Sequence, residues 1–180
     1  VRGLGVAGLV AAAGVLVAIG VASAGDGPAV RDDAAPPTID VNGAEIGPGG
    51  YDWYSAGTGT FRRMPPDERP HGPDDFVTVR PAPDRALTIR LDGFDPASRV
   101  EVVFFAGVGA DGQPLAACDG AGWHGSADGD PVRVVVPDGA GFVAVTVAEA
   151  VPDLPSALPE DRTARYGVRL DEPHPARGAA

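Results

Sequence analysis

The chain has 180 residues with 14 Arg and no Lys, against 25 acidic residues, for a formal net charge of −11. Without Lys there is no Schiff-base lysine, no Ser-Lys nucleophile pair and no phosphate loop ending in Gly-Lys-Ser/Thr, and so acidic a surface repels nucleic acid and anionic lipid, and neither is expected as a partner. The one cysteine, Cys118, cannot supply the disulfide framework of small secreted domains, so the fold must hold by its core.

The weight of Ala, Gly, Pro, Val and Asp, with Arg in place of Lys, matches the coding bias of a GC-rich genome such as an actinobacterium's. Residues 3–24 carry no charge and end in Ala22-Ser23-Ala24, preceded by Arg2 and followed by Asp26, Arg31, Asp32 and Asp33. A small-x-small triplet closing an apolar run marks a signal-peptidase site. The segment is also long enough to span a bilayer core of roughly 30 Å, so a retained signal anchor is the alternative to cleavage after Ala24. Both readings put the N-terminus inside and everything from residue 25 onward outside, secreted or tethered to the outer face of the cytoplasmic membrane. The membrane then enters only through residues 3–24, if they stay uncleaved. No cysteine near the cut offers a lipid anchor.

Residues 25–37 are polar, Pro-rich and without periodicity, the composition of a flexible spacer. From Thr38 the pattern changes. Ile39-Asp40-Val41 and Ala44-Glu45-Ile46 alternate around Asn42-Gly43, a hairpin signal because both central residues of a type I′ turn need positive φ. Tyr51-Asp52-Trp53-Tyr54 puts aromatics on both faces of a following strand, and residues 62–75 form a Pro- and charge-rich loop. Residues 76–80 alternate with Val77 and Val79 on one face. Leu87, Ile89 and Leu91 alternate with Thr88, Arg90 and Asp92 in a half-buried strand. Residues 99–106 are apolar on both faces through Val100, Val102 and Phe104 on one side and Val103 and Phe105 on the other, which predicts a central or covered strand.

Residues 107–131 read as a Gly- and Asp-Gly-rich loop. Residues 132–136 and 142–147 are expected to form a second hairpin around Asp138-Gly139, and Tyr166, Val168 and Leu170 mark a final strand. No helical period follows residue 24. Seven or eight short strands separated by turns, over residues 38–172, predict an all-β, immunoglobulin-like antiparallel β-sandwich after the N-terminal apolar helix, with a closed barrel as the alternative. Residues 173–180 read as a disordered tail.

Val41-Asn42-Gly43, Ile46 and Gly50-Tyr51-x-Trp53, followed by Thr78-Val79, Thr88-Ile89 and the strand 166–170, resemble a pattern in exported or lipid-anchored proteins of Gram-positive bacteria. The similarity runs over roughly residues 38–171 and implies a single β-sandwich without specifying an activity. Asp52 stands where those proteins carry a cysteine.

Cys118, with His71 or His124 and Arg133, would be the trio of a sortase-type transpeptidase, although Leu115-Ala116-Ala117 replaces the Thr-Leu-x-Thr lead. The competing reading is a small structural thiol. Asp119, His124, Asp128 and Asp130 could gather around calcium, but the spacing fits neither zinc nor an EF-hand loop. Asp-Gly pairs are also ordinary turn residues. Ser126 lies outside any nucleophile elbow.

Trp53 is expected in the core, and Tyr51, Tyr54, Trp123 and His124 are left as a candidate ligand surface, with Trp123-His124 an exposed loop pair. The expectation is therefore a non-enzymatic accessory or binding module of the cell envelope, without catalytic residues, metal or cofactor, whose partner is a cell-surface protein or glycan. The alternatives are a cysteine-dependent transpeptidase or hydrolase and a weak calcium- or glycan-binding domain.

Overall fold

The computed structural model describes residues 35–55, 59–151 and 161–171. The apolar segment 3–24, most of the spacer and the tail 173–180 lie outside the described residues. Among the described residues no helix is long and apolar enough to cross a membrane, and the helical structure consists of two 3₁₀ turns, Pro66–Glu68 and Pro73–Asp75.

The first hairpin forms as its sequence requires. Strands β1 (Ile39–Val41) and β2 (Ala44–Ile46) pair Ile39 with Ile46 and Val41 with Ala44. Asn42 and Gly43 between them have φ of 52° and 86°, the two positive values of a type I′ turn. The remaining strands are β3 (Gly50–Ser55), β4 (Thr60–Arg63), β5 (Thr78–Val79), β6 (Ala86–Arg90), β7 (Arg99–Phe105), β8 (Ala117–Ser126), β9 (Val132–Val135), β10 (Phe142–Ala150) and β11 (Asp161–Leu170).

They form two sheets. One runs β2-β1-β6-β9 and the other β4-β3-β11-β10-β7-β8, with β5 pairing in parallel alongside the end of β11. All other pairings are antiparallel. Neither sheet closes on itself, so the fold is a β-sandwich and not a barrel. Its order is immunoglobulin-like: β1, β6 and β9 take the A, B and E positions, and β8-β7-β10-β11 take C′-C-F-G. The β3–β4 hairpin is an addition, laid on the outer edge of β11 beside β5.

The core is the alternating inward set of both sheets. Ile39, Val41, Leu87, Ile89, Val102, Phe104, Val143, Val145, Val147 and Val168 are at most 1% exposed. Each such side chain contributes about 1.5–3 kcal/mol by leaving water. Strand β7 is apolar on both faces because it lies between β10 and β8, with Val103 and Phe105 half-buried on the outer side.

Three sequence expectations need correction. Residues 132–136 and 142–147 are not a hairpin: β9 pairs with β6 in the small sheet, and β10 lies between β7 and β11 in the large one. The Asp138-Gly139 turn instead carries the chain from one sheet to the other, with Gly139 at φ 77°. A tight turn satisfies local chemistry whichever strands flank it, and alternation says which face is buried but not which strand is the neighbour.

The strand expected over 76–80 shortens to Thr78–Val79. Pro73 opens a 3₁₀ turn there, Phe76 packs edge-on against Phe142, and Val77 stays 43% exposed. The loop expected over 107–131 contains a ten-residue strand, β8. Its Gly-rich sequence lacks strand propensity, but pairing with β7 from Arg99↔Ser126 to Phe105↔Ala117 satisfies its backbone, with an irregularity between Val103 and Phe105.

Candidate functional site

Two places on the sandwich gather polar side chains in a way its simple alternation does not. The first is the buried end between the sheets. Glu149 sits on the inner face of β10 and is 3% exposed, and it is held by named partners: Oε2 accepts from Arg162 Nε at 2.5 Å, and Oε1 accepts from the backbone N–H of Asp95 at 2.6 Å. Arg162 also donates to the Tyr54 carbonyl, and its guanidinium carbon lies 4.3 Å from the centre of the Trp53 ring system. Trp53 and Tyr166 each meet Phe94 edge-on, with centroids 6.2 and 6.3 Å apart. Tyr166 donates its hydroxyl to the Pro37 carbonyl at 2.6 Å. Burial, and secondarily the Glu149 charge, pushes the Tyr166 hydroxyl well above the ordinary tyrosine range. The charges here are paired and enclosed, so this cluster fastens the added hairpin, β11, β10 and the incoming chain together.

The second place is an open groove of about 460 Å³ between the β2–β3 connection and the segment holding the two 3₁₀ turns. Asp67, Glu68, His71 and Asp75 line it above an apolar floor that includes Phe76 and Gly167. Pro66 and Pro73 open the turns and acids follow each, the order that pre-set φ and unpaired N–H groups favour. The Asp75 carboxylate is used internally, accepting the backbone N–H groups of His71 and Gly72 at 2.8 and 3.1 Å. Among the described residues, Asp67 and Glu68 have no ion-pair partner. The groove thus offers free carboxylates over an apolar base. No Ser, Thr or Cys lines it among the described residues; its polar side chains are the carboxylates, His71 and the Arg69 guanidinium, which offer a polar ligand both acceptors and a cationic donor.

No protein-family model, no curated protein and no solved structure matches this chain.

The residues singled out in the sequence are placed apart. Trp53 is in the core at 1% exposure, as expected. Tyr51 shares its inner face and packs on the core, whereas Tyr54 lies on the outer face opposite Phe61. Trp123 and His124 are on strand β8, not in a loop, and face opposite ways. Trp123 pairs with Val102 on the inner side and packs on the core, and His124 pairs with Glu101 on the outer side, with His124 Nδ1 3.8 Å from Glu101 Oε1. β3 and β8 are separated by β11, β10 and β7, roughly 19 Å at ordinary strand spacing. The four residues therefore form no single surface.

Cys118 is half-buried on β8 against the core. His124 stands six residues further along the strand on its outer face, and His71 belongs to the groove, which Cys118 does not line. Arg133 is engaged with Asp84. The thiol is thus not assembled with His124 or Arg133 into a nucleophile site. Asp128 and Asp130 are exposed in the β8–β9 connection, and no group of three metal-binding side chains forms among the described residues.

Sequence reasoning missed the groove because residues 62–75 read only as a polar loop. The usable signal was the repeated Pro followed by two acids, at Pro66-Asp67-Glu68 and Pro73-Asp74-Asp75, within a loop too long to be a plain connection.

Proposed function

We propose that this chain is an exported β-sandwich module of a bacterial cell envelope, released after cleavage at Ala24 or tethered through residues 3–24. On this reading it serves there as a non-enzymatic accessory or binding domain for a cell-surface protein or glycan. The observation that carries the reading is the uncharged segment 3–24 with its Ala22-Ser23-Ala24 triplet, followed by a Pro-rich spacer that leads straight into a sandwich. The point where the spacer meets the domain supports it: Pro36 is buried and the Pro37 carbonyl is bound by Tyr166, so the described chain is anchored just before β1 begins at Ile39.

The binding half of the reading is supported by the use of polar groups. Cys118 and His124 lie six residues apart on β8 and Arg133 is on β9, while carboxylates line an open groove elsewhere. The resemblance to exported sandwich proteins of Gram-positive bacteria points the same way.

A reporter enzyme active only outside the cytoplasm, fused after Asp171, tests the export half. Activity is expected from the full chain and should vanish when residues 3–24 are deleted. Equal activity with and without that segment contradicts the proposal.

A further inference from the structure

Asn42 is the only asparagine in the 180 residues, and it is followed by Gly43. In an unfolded chain such a pair is chemically labile. The Gly43 backbone nitrogen loses its proton and attacks Asn42 Cγ, the Cγ–Nδ2 bond breaks, and ammonia leaves. Water then opens the resulting succinimide to aspartate or isoaspartate. The reaction is intramolecular, so its rate depends on whether the nitrogen can reach the carbonyl carbon.

All three reacting groups are held in the folded chain. Asn42 Nδ2 donates to the Arg80 carbonyl at 2.9 Å, and Asn42 Oδ1 accepts from the Thr88 backbone N–H at 2.8 Å. The Gly43 N–H donates to Asp40 Oδ1 at 3.0 Å. The Asn42 backbone N–H also donates to the Thr88 carbonyl at 2.9 Å. Swinging Cγ over the Gly43 nitrogen would break both amide bonds at once. Exclusion of water is not the protection, because both turn residues are exposed and border an open depression beside Thr88 and Arg90.

We propose that Asn42 is a deamidation site gated by the fold: locked in the sandwich, reactive once the first hairpin detaches from β6. The amide is irreplaceable there because its two ends serve as donor and acceptor for different backbone segments. An aspartate would keep the Thr88 bond but set a carboxylate oxygen against the Arg80 carbonyl, so a chain that has reacted cannot rebuild the clamp.

The full chain is incubated at mildly alkaline pH, native and in guanidinium chloride, and the gain of one mass unit and one negative charge is followed. Because Asn42 is the sole asparagine, intact mass and charge read this site, and a tryptic map assigns the change. The native rate is expected to be at least about tenfold below the unfolded rate. Equal rates, or a faster native rate, overturn the proposal. In a second measurement N42D should unfold at lower denaturant than the wild type, and an unchanged midpoint overturns the clamp.

Discussion

Arg162 on β11 and Glu149 on β10 form a paired, hydrogen-bonded ion pair inside the sandwich, with Arg162 stacked over Trp53. Their side chains are 18% and 3% exposed. Buried pairs add little over well-packed apolar residues, but removing one partner leaves the other charge uncompensated. Arg162→Ala is therefore expected to destabilise by about 3–5 kcal/mol in denaturant titrations. The double variant with Glu149→Ala should cost less than the two single losses added together, and strict additivity would show that the pair is not coupled.

Trp53 fills the space beneath that pair, and its Nε1 is buried without a hydrogen-bond partner among the described residues. Trp53→Ala is expected to cost about 3–5 kcal/mol. Trp53→Phe should cost much less, since it keeps most of the ring and removes an unsatisfied donor. Fluorescence separates the two tryptophans: the emission left in Trp53→Phe, from half-buried Trp123, should be quenched by acrylamide more readily than that left in Trp123→Phe.

Tyr166 gives the fold a sensitivity to alkali. Its folded pKa lies above the ordinary 10.0 because of burial first and the Glu149 charge second. Below pH of about 10 both states keep the proton and the full stabilisation is present. Above it the unfolded chain ionises first, so stability falls as pH rises toward the folded value. Tyr166→Phe should lose about 1 kcal/mol at neutral pH with the bond to Pro37. The gap between wild type and variant should then close as unfolding midpoints are followed from neutral pH into alkali. A gap that widens contradicts the assignment.

Gly167 allows the second 3₁₀ segment to fold onto the large sheet. A Cβ there would lie 2.5 Å from Phe76 and 2.7 Å from Phe142. Gly167→Ala is expected to destabilise by about 1–3 kcal/mol. It should also displace Phe76 from the groove floor, visible as faster proteolysis around residues 73–77.

Local chemistry made much of this architecture readable. The Asn42-Gly43 turn, the Leu87-Ile89 strand, the two apolar faces of β7 and the burial of Trp53 follow from turn residues and period-two alternation. The partner of β9 was not readable, because Val132 and Val134 face inward equally well beside β10 or β6. Strand β8 escaped notice because Gly120, Gly122 and Gly125 oppose strand formation and only the ladder to β7 supports it. The Glu149–Arg162 pair was hidden for a different reason. Its residues look like ordinary polar positions at strand ends until two sheets and the added hairpin enclose them.

The most direct test of the account is the mass of the chain's N-terminus after expression in a bacterial host, measured in medium, membrane and cytosol. Export through residues 3–24 predicts a chain beginning at Gly25 outside the cell, or an intact chain in the membrane whose sandwich is open to external protease. An intact chain recovered in the cytosol, with no processed or membrane-bound form, would contradict it.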